Sequence, residues 1–249
     1  MAVSDQHTMA PLKAMIFAAG LGSRLKPWTD HHPKALAVVN GKSLLQRNVE
    51  YLQGFGITEL IVNVHHFASQ IIAAIADNNG WGSSITISDE TDEVLETGGG
   101  LKKAGWYFKD PADFVVMNVD ILTDLDLGAM ISRHRQKAPL ATLAVSERQT
   151  SRYFLFDNDE RLSGWRNVKT GEEKIARDAG NFIQKAFSGI HIIDHSIFRK
   201  MDRAGKFSMV DVYLDLAKDN VIRSFDHTGA RLIDVGKPES LELAAQFFK

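Results

Sequence analysis

The segment from Ala18 to Lys34, Ala-Ala-Gly-Leu-Gly-Ser-Arg-Leu-Lys-Pro-Trp-Thr-Asp-His-His-Pro-Lys, gathers the residue types that hold a polyphosphate. Gly20 and Gly22 allow close backbone approach and dihedrals that other residues avoid. Successive amide N–H groups in such a turn form an anion-binding concavity. Arg24, Lys26 and Lys34 add positive charge. The other reading is a tight turn carrying solvated basic residues. The preceding run, Ala14 to Ala19, is continuously apolar and reads as a strand buried on both faces. The loop therefore stands at the carboxyl end of a sheet strand, where open α/β sheets receive ligands. Two other phosphate motifs fail. Leu25 stands where the dinucleotide fingerprint needs its third small residue, and Leu36 stands where a P-loop ending in Gly41-Lys42-Ser43 needs glycine. Asn40-Gly41 reads instead as a turn leading into a helix.

Other polar clusters leave alternatives open. Thr97-Gly98-Gly99-Gly100 precedes an expected helix over 101–106. Three glycines leave room for a flat base on the backbone, with edge hydrogen bonds from amides, or simply make a turn. Asp120 and Asp234 end strands and can be metal ligands or turn formers. Asp124-Leu-Asp126 is an Asp-x-Asp, either a glycosyltransferase metal motif or a cap for the next helix. Asp211 opens a helix and can bind sugar hydroxyls or cap it. Trp165, Trp106 and Phe154 can stack on a sugar, although core packing explains such residues equally simply. His31-His32 and His65-His66 lack the spacing of a zinc site.

The elements that must position these residues alternate. Strands are expected over 14–19, 60–64, 85–87 and 114–119, with helices over 43–52 and 68–76 between them. That alternation predicts βαβ units, an α/β fold around a mostly parallel sheet. Beyond Pro139, strands are expected over 141–145, 152–156, 162–165, 187–193 and 232–235. Helices are expected over 210–217 and 238–248, and residues 169–181 read as a loop. Residues 1–12 read as a disordered leader and 13–249 as one domain. The length of 249 residues suffices for a core without disulfides or structural metal. With 29 Lys and Arg against 31 Asp and Glu, the net charge of -2 excludes a nucleic-acid binder relying on a basic surface. No apolar run reaches the ~20 residues of a membrane span. The chain has no cysteine, which excludes thiol chemistry and fits a cytoplasmic location.

Ala-Ala-Gly-Leu-Gly-Ser-Arg-Leu-x-Pro, followed by Pro33-Lys34-Ala-Leu, resembles the signature of the sugar-1-phosphate nucleotidylyltransferases. The resemblance extends from Lys13 to about Ala245. It includes Leu95 to Gly100, Asn118 to Asp120 with Thr123-Asp124, Phe187 to Ile190, and Asp234 to Gly236. The subgroup most similar is that of the short N-acetylmuramate-1-phosphate uridylyltransferase-like enzymes. The resemblance implies a single Rossmann-like (GT-A-like) domain with a mostly parallel mixed sheet flanked by helices. It implies attack of a sugar-1-phosphate on the α-phosphate of an NTP, UTP first, with release of pyrophosphate and Mg²⁺ as cofactor. N-acetylmuramate-1-phosphate is the first sugar expected. Arg24, Lys34 and Asp120 are implied as catalytic. Ala18, Ala19, Gly20, Gly22, Ser23, Thr97, Gly98 and Gly99 are implied as nucleotide-binding, Gly189 and Asp211 as sugar-binding, and Asp120 with Asp234 as metal ligands.

The chain departs from that pattern in three places. Val119 stands where relatives usually have glycine, Lys237 where they often have threonine, and the Glu-Lys-Pro segment with a second lysine is missing. Lys174 and Lys185 are the candidates to replace that lysine. The rival readings are a mannose-1-phosphate guanylyltransferase, a phosphocholine cytidylyltransferase, a catalytically silent nucleotide-sugar sensor and an Asp-x-Asp glycosyltransferase. The expected partners are the NTP and the sugar-1-phosphate, with no nucleic acid or membrane, in a monomer or homodimer.

Overall fold

The computed structural model describes residues 11–248, so most of the expected leader lies outside the described residues. Strand β1 (Lys13–Phe17) is flanked by a parallel strand on each side. Its Ala14, Met15 and Ile16 are each 0% exposed, as the continuous apolar run required. Successive side chains enter opposite faces. Ala14 and Ile16 belong to one hydrophobic core and Met15 and Phe17 to the other.

A short hairpin, β2 (Val38–Val39) and β3 (Lys42–Ser43), follows the glycine-containing loop after β1 and turns at Asn40 and Gly41, both at positive φ. That conformation is the reason for an Asn-Gly pair there. Ser43 then caps α1 (Leu44–Gln53), accepting from the Gln46 amide at 3.1 Å. Next come β4 (Glu59–Val64), α2 (Ala68–Asp77), β5 (Ser84–Asp89), α3 (Glu96–Lys103) and β6 (Phe114–Asn118). β6, β1, β4 and β5 run parallel as neighbours, in that order.

The chain continues through β7 (Ile121–Thr123), α4 (Leu127–Lys137) and β8 (Ala141–Ser146), then β9 (Arg152–Phe156), β10 (Leu162–Asn167) and β11 (Glu172–Ile175). The long β12 (Ile183–Ile193) pairs antiparallel with β6, β8 and β9 and joins both halves into one ten-stranded mixed sheet. After α5 (Met209–Leu216), β13 (Ile222–Asp226) runs parallel to β8. Among the described residues β14 (Leu232–Asp234) pairs only with β7, before α6 (Pro238–Phe247) closes the fold. No helix among the described residues is long and apolar enough to cross a membrane.

Three readings are corrected. The expected loop 169–181 contains β11, whose four residues are all exposed and carry no apolar alternation. Cross-strand pairing holds it to β10, with Arg166 Nε 2.5 Å from Glu173. The expected strand 187–193 starts earlier, at Ile183, because its exposed first half pairs with β9. The expected helix 101–106 begins at Glu96, so Thr97 to Gly100 form its opening turns.

His191 on β12 is 2% exposed, and its Nδ1 lies 2.6 Å from the Tyr213 hydroxyl on α5. Burial pushes its pKa down to about 3 from the ordinary 6.5. The folded protein therefore keeps it neutral while the unfolded chain takes up a proton. Its contribution is intact above pH 6.5 and is lost as the pH falls toward 3. Lowering the pH from 7 to 5 should cost about 2 kcal/mol through this residue. Urea denaturation at both pH values should show a smaller loss in His191→Gln than in the wild type. Equal losses would assign the acid sensitivity to other groups.

Candidate active site

The carboxyl end of β1 is fixed from below by a buried relay. The Ala18 amide donates to Asn63 Oδ1 at 2.7 Å, and Asn63 Nδ2 donates to Glu90 Oε1 at 2.8 Å. Glu90 is 0% exposed, and burial pushes its carboxyl above the ordinary range. Gly22 adopts φ +63°, where a Cβ would lie 2.9 Å from Thr29 Cγ2 and 3.0 Å from Lys34 Cβ. The Gly22 carbonyl accepts from the Leu25 amide and the Thr29 hydroxyl. The amides of Gly20, Leu21 and Gly22 donate to nothing among the described residues. They remain available to an anion.

These residues border a cavity of about 280 Å³, with Gly20, Gly22, Ser23, Arg24, Lys34 and Thr97 on one side and Asn118, Asp120 and Gly236 on the other. Lys34 Nζ donates to Asp120 Oδ2 at 2.5 Å, with side chains 11% and 20% exposed. Arg24 Nη2 stands 3.7 Å from Asp234 Oδ1. The two carboxylates, distant in sequence, are joined through the β7–β14 ladder. Asp234 faces Ile121, and the Val235 amide donates to the Asp120 carbonyl at 2.8 Å. Gly236 leaves space for Arg24, since a Cβ there would meet the guanidinium at 2.7 Å. Val119 is accommodated without disturbing the strand. Its amide donates to the Phe17 carbonyl, its own carbonyl accepts from Asn48, and its side chain is buried.

Asp234 Oδ1 is buried with no hydrogen-bond partner. A buried carboxylate oxygen without a hydrogen-bond partner fits a hard dication, which takes one or two carboxylates and completes its shell with phosphate oxygens and water. No cluster of three or more potential ligands occurs among the described residues.

The glycine-rich turn differs from expectation. Thr97 lines the cavity, and its Oγ1 accepts from the Met209 amide. Gly98 and Gly99 do not line it. Both amides donate to the Phe207 carbonyl, at 2.9 and 3.2 Å, so neither is free for a base edge. A Cβ on Gly98 would strike the Phe207 ring, and one on Gly99 the Gly205 carbonyl. Close packing of α3 on the 205–208 segment is what these glycines serve. Ala19 is buried and also absent from the lining, while Ala18 lines it with its amide already committed.

A second cleft, of about 590 Å³, adjoins the first through Arg24 and Asp234. Its walls include Tyr153, Phe154, Trp165 and Phe187. Trp106 lies elsewhere and is exposed. Gly189, at φ +74°, sits in the irregular part of β12, and a Cβ there would lie 3.0 Å from Asn118 Nδ2, in a lining residue of the first cavity. Asp211 does not line the cleft. It accepts from the Ser208 hydroxyl while its amide donates back to Ser208 Oγ, a reciprocal cap. Lys174 pairs with Asp211 at 3.3 Å and lies 5.6 Å over the Trp165 ring, at the wall of this cleft. Lys185 is held by Glu147 and Asp226 and reaches neither cavity.

The Asp-x-Asp reading loses its carboxylates. Asp124 accepts from the Arg231 backbone and guanidinium, and Asp126 caps α4 through the Ala129 amide. Sequence reasoning quoted Asn118 and Gly236 within motifs but gave them no role. Asn63 and Glu90 it missed, because nothing local distinguishes a buried Asn at a strand end.

The model of the family described as Nucleotidyl transferase matches residues 13–249. The N-acetylmuramate alpha-1-phosphate uridylyltransferase of Caulobacter vibrioides is 31% identical, over 96% of this chain and 97% of its own length. The Neisseria meningitidis protein of the same name is 28% identical, over 90% and 93%. Among solved structures, HddC from Yersinia pseudotuberculosis complexed with GMP-PN superposes with a TM-score of 0.77 at 27% identity, covering 96% of this chain and 100% of that one.

The packing of the glycine turn makes a direct prediction. Gly99→Val should destabilise the fold by about 1–3 kcal/mol through overpacking, seen as a lower denaturant midpoint. Unchanged stability would mean that the 205–208 segment moves aside.

Proposed function

We propose, for this chain, which belongs to the nucleotidyl transferase family, that it transfers a nucleoside monophosphate from an NTP to a sugar-1-phosphate and releases pyrophosphate. One observation carries the reading. Arg24 and Lys34, each beside a carboxylate, border one cavity with the unoccupied amides of Gly20 to Gly22 at the carboxyl end of the parallel strands.

Both reactants are polyanions, so their repulsion must be offset at close range. A single unit charge ~4 Å away contributes about 4 kcal/mol at an effective dielectric constant of 20. The Gly20–Gly22 amides and Arg24 would hold the β- and γ-phosphates. Lys34 would face the α-phosphate, where charge develops. The nucleophile is already an anionic phosphate oxygen, so no general base is required. The task is positioning and electrostatic stabilisation. Asp120 and Asp234 would hold Mg²⁺. The chemistry a bound Mg²⁺ supplies is charge neutralisation and alignment of phosphate oxygens. Asp120 also fixes the Lys34 ammonium within the cavity.

UTP and N-acetylmuramate-1-phosphate are the substrates we favour, supported by the names of the two relatives aligned along most of this chain. A guanine nucleotide is the second reading. It is supported by the GMP-PN complex and by the mannose-1-phosphate guanyltransferase of Gibberella zeae, 28% identical over 92% of this chain and 62% of its own length.

Pyrophosphate release measured with four NTPs against a panel of sugar-1-phosphates tests the reading. UTP should exceed GTP and ATP, with dTTP second because one added methyl seldom shifts discrimination by more than ~1–3 kcal/mol. A preference for GTP would move the assignment to the second reading. Lys34→Ala should lower turnover by about 10²–10³-fold while the protein stays folded, the scale of one electrostatic group at a transition state. Near-normal turnover would remove Lys34 from the mechanism. Asp120→Asn and Asp234→Asn should each raise the Mg²⁺ concentration giving half-maximal rate, since a neutral amide oxygen is the weaker ligand for a hard dication. An unchanged Mg²⁺ dependence in both would place the ion elsewhere.

A further inference from the structure

The second cleft carries more positive charge than a neutral sugar needs. Three guanidiniums, Arg24, Arg148 and Arg152, line it against one carboxylate, Asp234. Asp234 stands beside Arg24, at 3.7 Å. Arg148 is different. Its Nη2 donates to the Phe187 carbonyl at 2.7 Å, which fixes the guanidinium on the cleft wall. Its Nε is buried without a partner, and no carboxylate pairs with it among the described residues. Glu147, its neighbour in sequence, and Asp226 are both taken by Lys185, at 2.8 and 2.7 Å. His227, close enough to feel the Arg148 charge, is held below its ordinary pKa by burial and by that charge. It adds no counterion. A half-buried guanidinium without a counterion is unfavourable, and its planar fork matches a carboxylate.

We infer that this cleft receives a sugar phosphate bearing a second acidic group, a carboxylate on a ring substituent, and that Arg148 pairs with it. The inference rests on the sugar-1-phosphate reading above and deepens it. The phosphate end of the substrate lies toward Arg24, the shared border of the two cavities. The ring lies along the aromatic wall of Trp165 and Tyr153, and the carboxylate reaches Arg148. Arg152, exposed at the rim, adds long-range attraction and no fixed contact. A site built around a charged hydrogen bond rejects the analogue that lacks the charge, because its own group is then left unpaired.

The test compares N-acetylmuramate-1-phosphate with N-acetylglucosamine-1-phosphate, which lacks the carboxylate-bearing ether, by kcat/KM for pyrophosphate release and by calorimetric binding. The wild type should favour the acidic sugar about 10- to 100-fold, the scale of one charge-assisted hydrogen-bonded pair. Arg148→Gln, which keeps a donor for the Phe187 carbonyl, should bring the ratio of the two toward one. Arg148→Lys should restore it only in part, because the charge returns without the fork. A wild type indifferent to the carboxylate, or an Arg148→Gln ratio equal to the wild-type ratio, overturns the inference. Pyrophosphate release with the neutral sugar alone would overturn it and leave the transferase reading standing. Tighter binding of the acidic sugar that Arg148→Gln abolishes, without turnover of either sugar, would support the inference while the transferase reading fails.

Discussion

The Lys34–Asp120 ion pair is the contact on which the arrangement of this site depends. It ties the glycine-containing loop after β1 to the segment after β6 across 2.5 Å, with both groups largely removed from solvent. Neither partner has freedom to find another position cheaply. Lys34 follows Pro33 at the start of a short 3₁₀ turn, and Asp120 lies between two paired strands. The second pair, Arg24 with Asp234, is tied to the same segment through the backbone, because the Val235 amide is bonded to the Asp120 carbonyl.

Close approach is the second constraint. Gly22 and Gly236 are glycines because a Cβ would overlap Lys34 and Thr29 in one case and the Arg24 guanidinium in the other. Beneath the loop, Asn63, held in turn by Glu90, accepts from the Ala18 amide and prevents it from competing for ligand. A family of chemically similar transfers can share this frame, since the paired cations and carboxylates lie at the ends of β1, β6 and β14. The neighbouring aromatic cleft lies on the antiparallel half and can vary separately.

Much of this was legible in the residues. The apolar run before Gly20 located a doubly buried strand; Arg24, Lys34 and Asp120 border the first cavity, while Asp234 lies on the adjoining cleft that shares Arg24. What remained hidden has physical reasons. β11 is an exposed edge strand whose residues 172–175 carry no period, so only the partner strand defines it. The glycines at 98 and 99 signalled close approach correctly, but sequence cannot say whether ligand or protein makes that approach, and here it is Phe207 and Gly205. Asp211 combined two compatible roles, and the structure shows the reciprocal cap with Ser208. Arg148 lacked a motif altogether. Its interest arises from the absence of a carboxylate partner in three dimensions, which no linear spacing records.

The central claim is that paired cations and carboxylates at the strand ends serve transfer to a phosphate rather than to water. Phosphorus NMR of the protein with UTP, Mg²⁺ and a sugar-1-phosphate tests it most directly. Pyrophosphate should appear in step with a new diphosphate diester, at equal amounts and without orthophosphate. Orthophosphate release, or loss of UTP with no new diester, would contradict the account.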